Sequence, residues 1–124
     1  MSARPIYYVL RGREPVPVED CFAWAKEFAR DDTRIVARTE LSGPAGHVAV
    51  STVFLGIDHG WDANRPVLFE TMIFQDGAAL DYQERYSTYD DAEAGHRRAV
   101  EVVKGWSAEA VKVFAGLDIE GQVH

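Results

Sequence analysis

From His47 to Ile57 the chain has the composition of one long β-strand. The segment consists almost entirely of β-forming or small residues, and its two alternating faces are both largely apolar or small. Because successive side chains of a strand point to opposite faces, a strand of this composition is covered on both sides. The sequence therefore predicts a central strand in a sheet whose two faces are both buried.

Shorter patterns predict the elements around this strand. They are strands at 6–10, 34–41, 67–74 and 82–86, a first helix from about 18 to 32, and a final helix from about 89 to 117. The loops between the last four strands are too short for crossover helices, so these strands are expected to be antiparallel. The predicted fold is α+β, a single domain over 1–124 with a sheet of about five strands in the order β-α-β-β-β-β-α.

The first helix is expected to bury one stripe of side chains, which recur at helical spacing. The stripe consists of Val18, Phe22, Ala25 and Ala29, flanked by Cys21, Trp24 and Phe28. Pro15 and Pro17 precede the helix and are expected to set a turn. Cys21 has no basic neighbour at helical spacing except Lys26, so it is expected to be a buried structural thiol.

The final helix is expected to start after Thr88, a candidate N-cap with Asp91 three residues later. Its inward positions are Ala92, His96, Ala99, Val103, Trp106, Ala110, Val113 and Leu117. His96 is the polar member of this stripe and is expected to be a hydrogen-bonded core or interface histidine. A continuous helix of this length would span about 43 Å, so either it breaks at Gly105 or its far half packs on a second subunit.

Two helices can cover one face of the sheet, but the strands between 47 and 74 are apolar on both faces. The second face then needs another cover, and a second copy of the chain is the most economical one. We therefore expect a homo-oligomer, dimer or larger.

The charge of the chain is unevenly distributed. The net charge is −7, and residues 58–93 hold nine Asp or Glu against two Arg. Duplex binding normally needs clustered Lys and Arg, so direct binding of nucleic acid is not expected. Solubility alone explains such an acidic segment, and mimicry of a phosphate backbone is the functional alternative.

The cellular compartment is predicted from what the sequence lacks. No apolar run approaches the roughly 18 residues of a membrane helix, and no signal-peptide core follows Met1. The single cysteine is incompatible with an internal disulfide framework. The expectation is a soluble, cytoplasmic protein without a membrane partner.

Glu70 is the candidate site residue that the strand pattern identifies, because it lies between Leu68 and Met72 on one strand face. A carboxylate there must reach solvent or find a partner, and Arg38 and Arg85 are the candidate cations. One interpretation is a structural ion pair across neighbouring strands. The other is a ligand-binding pocket formed by Arg38, Glu70 and Arg85, in which an arginine fork holds a phosphate or carboxylate.

Asp58, His59 and Asp62 lie in one loop and form a candidate metal site, with Glu70 on the next strand. Carboxylate and imidazole ligands suit a divalent metal, whose bound water would be the nucleophile of a hydrolase. Their spacing matches no established metal motif. In the structural alternative Asp58 caps a turn, His59 is exposed and Asp62 forms an Asx-turn.

Four segments carry a resemblance: STVFLGIDH at 51–59, LFETMIF at 68–74, ERYSTY at 84–89 and EAGH at 93–96. In order and spacing they resemble a family of small bacteriophage, prophage and bacterial proteins, over roughly residues 6–100. The resemblance implies a bacterial or infected-host cytoplasm, and no particular activity or catalytic residue. Phage accessory proteins of this size often act by binding, as inhibitors of host defence or as sponges for nucleotide signals.

The first functional hypothesis is therefore a non-catalytic binding protein. It would sequester a small anionic, nucleotide-like ligand or inhibit a host defence protein. The alternatives are a metal-dependent hydrolase that uses the Asp58, His59, Asp62 and Glu70 cluster, and an acidic mimic of nucleic acid. The sequence contains neither a nucleophile elbow nor a phosphate loop, which favours a role without catalysis.

Overall fold

The computed structural model describes residues 5–30, 34–43, 46–61 and 64–105. They form two antiparallel sheets and two helices, so the predicted α+β class is confirmed. The elements are β1 (Tyr7–Arg11), β2 (Glu14–Val18), α1 (Cys21–Arg30), β3 (Ile35–Gly43), β4 (Gly46–Phe54), β5 (Phe69–Gln75), β6 (Ala78–Tyr86) and α2 (Tyr89–Lys104). The expectation of about five strands in a single sheet is wrong, because these residues contain six strands in two sheets.

The additional strand comes from the two prolines. β1 and β2 form a separate two-stranded sheet in which Tyr8 lies opposite Pro17 and Leu10 lies opposite Pro15. The predicted turn at Pro15 and Pro17 is therefore wrong, and the chain turns earlier, at Gly12, whose φ is +64°. Each strand of a two-stranded sheet has one unpaired edge, so a residue without an N–H is tolerated there.

α1 begins after Asp20, whose Oδ1 accepts a hydrogen bond of 2.9 Å from the backbone N–H of Phe22. Its inward side chains are Trp24 and Phe28, whose rings stack with centroids 5.1 Å apart. The Trp24 ring also lies 5.0 Å from that of Tyr7 on β1. α1 therefore packs on the hairpin through Trp24, with Phe28 stacked beside it.

The centre of the predicted stripe of α1 is wrong, since Phe22 is 83% exposed and Ala25 and Ala29 also face solvent. The flanking Trp24 and Phe28 are the half-buried apolar residues of the helix. The expected burial of Cys21 is wrong for the same reason, because its thiol is exposed on that side. Burying Trp24 and Phe28 removes more apolar area from water than burying one phenylalanine and two alanines, which explains the choice of face.

Ring contacts continue from α1 into the larger sheet. Successive centroid distances are 6.5 Å for Phe28 and Phe54, 5.4 Å for Phe54 and Phe69, and 5.9 Å for Phe69 and Tyr89. This aromatic row, from Tyr7 to Tyr89, connects β1, α1, β4, β5 and α2 through one series of stacked, tilted and edge-on ring contacts.

The larger sheet has the strand order β3-β4-β5-β6, and α2 packs against all four strands. β4 is central, as predicted, and Val50 and Thr52 are fully buried under the helix. The predicted inward positions Ala92, His96, Ala99 and Val103 are all buried, which confirms this part of the α2 stripe. The remaining predicted positions, Trp106, Ala110, Val113 and Leu117, lie outside the described residues.

β6 is longer than predicted. The expected loop at 75–79 is reduced to a tight turn at Asp76 and Gly77, whose φ angles are +48° and +87°. Two central residues with positive φ match the right-handed twist of the flanking strands, so pairing continues up to the turn. β6 therefore begins at Ala78 instead of Tyr82.

α2 starts and ends at the predicted signals. The Thr88 hydroxyl accepts a hydrogen bond of 3.1 Å from the N–H of Asp91, which confirms Thr88 as the N-cap. The helix ends at Lys104 with Gly105 as its C-cap, and the rest of the expected helix lies outside the described residues.

The turn between β1 and β2 contacts the beginning of α2. Arg13 forms ion pairs with Asp90 and with Glu93, the latter at 2.7 Å. Its guanidinium carbon also lies 4.3 Å from the centroid of the Tyr89 ring. These contacts fix the hairpin beside the β6–α2 junction, where the candidate site lies.

Candidate anion-binding site

The pairing of β5 with β6 places Glu70 directly opposite Arg85. Arg85 Nε donates a hydrogen bond of 2.9 Å to Glu70 Oε2, and Gln83 Nε2 donates one of 2.7 Å to the same oxygen. Glu70 is 8% exposed, so its charge is compensated within the sheet. The predicted structural ion pair between Glu70 and Arg85 is thus present.

This ion pair also orients Arg85. The contact with Glu70 uses Nε, so neither Nη group of Arg85 has a carboxylate partner among the described residues. The Arg85 side chain is 40% exposed. A guanidinium held at Nε presents its two Nη groups as a fork, the geometry that matches a carboxylate or phosphate.

Arg85 lines a hollow of about 330 Å³ together with two further arginines. Arg98 comes from α2, and its Nη2 donates a hydrogen bond of 2.6 Å to Glu84 Oε1. Arg65 comes from the connection between β4 and β5 and is exposed. The complete lining is Arg65, Val67, Arg85, Tyr86, Ser87, Asp91 and Arg98.

The arginine hollow, as we call it, is lined by three cations on an acidic chain, and two of these cations are also paired with Glu70 and Glu84 just outside the lining. Three guanidinium groups face one carboxylate in its lining, that of Asp91, whereas the net charge of the chain is −7. The hydrogen bond with Glu84 raises the pKa of Arg98 further, so this cation is permanent. Asp91 lies in the first turn of α2, where the helix dipole offsets its negative charge. The arrangement is suited to holding an anion.

Arg38 is not part of this hollow. It lies on β3 opposite Ser51 of β4, whereas Glu70 lies on β5, one strand further across the sheet, opposite Arg85 of β6. Its Nε is 3.8 Å from Glu40 Oε2. It lines a separate hollow of about 430 Å³ whose other residues are Phe28, Arg34, Ile35, Ser51, Val53, Phe54 and Leu55. Within one chain the structure therefore brings Glu70 and Arg85 together and leaves Arg38 apart.

Sequence reasoning missed Arg65 and Arg98. Arg98 follows Asp91 by seven residues, or two helical turns, so a helical projection from Thr88 places both on the face that meets β6. Arg65 precedes Pro66 in an irregular connection, where no periodic pattern indicates the direction of a side chain. Its place in the hollow follows from the fold alone.

Asp58 of the candidate metal site has a structural role in its loop. Asp58 Oδ1 accepts hydrogen bonds from the backbone N–H of Gly60 at 2.7 Å and of Val67 at 2.9 Å, so this carboxylate closes the loop. His59 is exposed, and Asp62 lies outside the described residues. Within the described ranges no group of three or more His, Cys, Asp or Glu could hold a metal ion. Because it depends on Asp62, the metal site stays a prediction.

His96 belongs to a buried polar chain beneath α2. Its Nε2 lies 2.9 Å from Thr39 Oγ1 and its Nδ1 lies 2.8 Å from Thr52 Oγ1. Thr52 Oγ1 is 2.6 Å from Thr71 Oγ1, which accepts a hydrogen bond of 3.0 Å from the Tyr86 hydroxyl. The interpretation of His96 as a hydrogen-bonded core histidine is confirmed.

Burial sets the ionisation of this chain. It lowers the pKa of His96 from its ordinary value, because a buried imidazolium loses its hydration. It raises the pKa of Tyr86 to about 12, against the opposing effect of the Thr71 hydrogen bond. Both side chains are therefore neutral near pH 7, and Tyr86, which also lines the arginine hollow, contributes a neutral phenol.

Much of the acidic surplus of residues 58–93 is paired with arginines. Glu70 contacts Arg85, which lies within the segment. Arginines from outside the segment contact others of these acids: Glu84 pairs with Arg98, and Asp90 and Glu93 pair with Arg13. Mimicry of nucleic acid stays a prediction, and it would have to rest on the acids that remain solvated.

Comparison with protein-family models, with curated proteins and with solved structures finds no match. In the part of the chain that the structure describes, no helix has the length and apolarity needed to span a membrane.

Proposed function

We propose that this protein is a non-catalytic binding protein that takes up a small anionic ligand in the arginine hollow. The observation that carries the proposal is the convergence of Arg65, Arg85 and Arg98 on one hollow of an acidic chain. Holding Arg85 and Arg98 through Glu70 and Glu84 limits the side-chain entropy that binding would otherwise cost. The ligand class is a phosphate- or carboxylate-bearing small molecule, with nucleotides included.

The biological setting belongs to the same proposal. The resemblance to small phage, prophage and bacterial proteins supports action in a bacterial or infected-host cytoplasm. The exposed thiol of Cys21 supports a reducing compartment. The protein would act as a homo-oligomer that sequesters its ligand.

Isothermal titration of the full chain with sodium phosphate, sodium pyrophosphate and AMP tests the proposal. We expect at least one of the three to bind, and Arg85→Ala to weaken that binding about tenfold or more, since a charge-assisted fork is lost. Arg85→Lys should also weaken it, because an ammonium group cannot form two parallel hydrogen bonds.

Arg97→Ala is the matched control for charge. Arg97 is exposed on α2, next to Arg98 in sequence, and does not line the hollow. Its removal should leave the dissociation constant unchanged. The proposal is wrong if none of the three anions binds, or if Arg97→Ala weakens binding as much as Arg85→Ala does.

A further inference from the structure

The side of the larger sheet that faces away from α2, here called the open face, is only partly covered within the described residues. Thr39 and Thr52 bond to His96 on the helix side, so their neighbours along each strand point the other way. Ala49, Ser51 and Val53 of β4 and Met72 and Phe74 of β5 form the centre of this face. Ala49 is 3% exposed and the other four are half-buried.

We propose that a second copy of the chain covers the open face in a two-fold symmetric dimer, with β3 of each copy stacked over β6 of the other. A two-fold axis that lies between the two sheets and runs parallel to the strands produces this arrangement. The rotation reverses the strand order of the second copy, so β3 lies over β6. It keeps the position of each residue along the strand direction, which is here called its level. Sheets stacked in this way lie about 10 Å apart.

The area of the open face is sufficient for a stable dimer. Strands of seven to nine residues at about 3.4 Å each, in four rows about 4.8 Å apart, give a planar face on the order of 500 Å². The accessible area of side chains exceeds the planar area, and specific interfaces begin at about 600 Å² for each partner. Met72 and Phe74 belong to the residue types that are enriched in the apolar core of such interfaces.

At one level across the sheet, the arrangement brings opposite charges from the two margins close together. Arg38, Ser51, Met72 and Gln83 lie at one level across the sheet. The axis therefore places Arg38 of the partner subunit over Gln83, which donates a hydrogen bond to Glu70. Glu70 lies on the neighbouring strand β5, two residues from Met72, so it is displaced from Gln83 by about 7 Å along the strands and about 5 Å across them. The resulting step of about 8 Å is comparable to the length of an extended arginine side chain. The dimer would bring Arg38 of one copy close to Glu70 and Arg85 of the other copy, across an interface instead of within one chain.

The oligomeric state of the full chain provides the first test. We expect light scattering coupled to size-exclusion chromatography to give a dimer at about 100 µM. Phe74→Lys and Ser51→Arg should each raise the dissociation constant at least tenfold with an unchanged far-UV circular dichroism spectrum. Two variants at different positions guard against one that fails to fold.

Phe22→Lys is the control for apolar exposure, because Phe22 is 83% exposed on α1, a helix that contacts β1 and β2. It should remain dimeric. A monomeric wild-type protein would overturn the proposal. A monomer is the result expected if residues 106–124 of the same chain cover the open face. A dimer that withstands Phe74→Lys and Ser51→Arg but dissociates in Phe22→Lys would overturn it equally.

Charge exchange tests the stacking of β3 on β6. Arg38→Glu should weaken the dimer because it places a second carboxylate near Glu70, whereas Arg34→Glu, outside the central rows, should not. Adding Gln83→Arg to Arg38→Glu should restore association. Within one chain these positions are three strand spacings apart, about 14 Å, so restoration requires contact between copies. Failure of the double variant to recover would overturn the proposed orientation.

Discussion

At the scale of single residues, His96 is a titratable group surrounded by hydroxyls. Thr39 and Thr52 bond to its two ring nitrogens, and a hydroxyl can donate or accept. The imidazole is therefore satisfied in the neutral form, and burial lowers its pKa below the ordinary value. Its protonation is opposed by lost hydration and not by a neighbouring cation.

This makes the stability of the protein dependent on pH in the acidic range. The unfolded chain binds a proton at His96 more tightly than the folded chain does, so the free energy of unfolding should fall as the pH drops below about 6.5. Above that value the contribution is fully present. Urea unfolding between pH 5 and 8 should show a smaller decline for His96→Gln than for the wild-type protein.

His47→Gln is the control for this experiment, since His47 is exposed near the first residue of β4. It should retain the decline attributed to His96. Parallel profiles for the wild-type protein and His96→Gln would contradict the assignment.

The predictions about single residues that were confirmed are those that depend on nearby residues. Thr88 could be predicted as the N-cap because the hydroxyl of a capping residue accepts a hydrogen bond from a backbone N–H only three residues later, here that of Asp91. The Glu70–Arg85 pair could be predicted because neighbouring strands bring opposite charges together. Arg65 could not, because its position depends on an irregular connection.

At the scale of elements, α1 shows why periodicity alone does not select the buried face. Phe22, Ala25 and Ala29 follow a helical spacing as regular as that of Trp24 and Phe28. The choice is made by tertiary contacts, with Tyr7 on one side and Phe54 on the other. Trp24 Nε1 also donates a hydrogen bond of 2.9 Å to the carbonyl of Tyr8.

Alanine substitutions should separate the two faces of α1. Trp24→Ala removes a half-buried ring and a hydrogen bond, and we expect a loss of about 3 kcal/mol in the free energy of unfolding. Phe22→Ala removes a ring that is already solvated, so its effect should stay within about 0.5 kcal/mol. Chemical denaturation of both variants measures the difference, and equal losses would contradict the observed packing.

The strand errors also have a physical cause. Pro15 and Pro17 resemble turn residues in sequence, yet an edge strand accommodates them. Asp76 and Gly77 shorten the predicted loop because both adopt positive φ. In the sequence, Asp-Gly indicates a turn but not how closely the strands pair around it.

At the scale of the whole molecule, charges that are distant in sequence neutralise one another. Arg13 and Asp90 are 77 residues apart, and their contact attaches the hairpin to α2. A count along the chain treats residues 58–93 as an acidic surface, whereas the fold supplies cations from both flanking regions. Long-range pairing of this kind could not be predicted from composition.

Removing this attachment should destabilise the protein in a salt-dependent way. Arg13→Ala should lower the Tm at low ionic strength, and the difference from the wild-type protein should shrink in 1 M NaCl, because exposed ion pairs are screened. Lys26→Ala, which removes an exposed charge on α1, should change the Tm little. Thermal unfolding at both salt concentrations provides the measurement, and a difference that is insensitive to salt would exclude an electrostatic role.

The aromatic row from Tyr7 to Tyr89 has a consequence for how the molecule comes apart. It passes through both sheets and both helices, so the hairpin cannot separate from the larger sheet without breaking ring contacts on α1. Partial opening would expose several aromatic faces at once and gain little chain entropy in return. The small hairpin and the large sheet are therefore expected to melt together, as one cooperative unit.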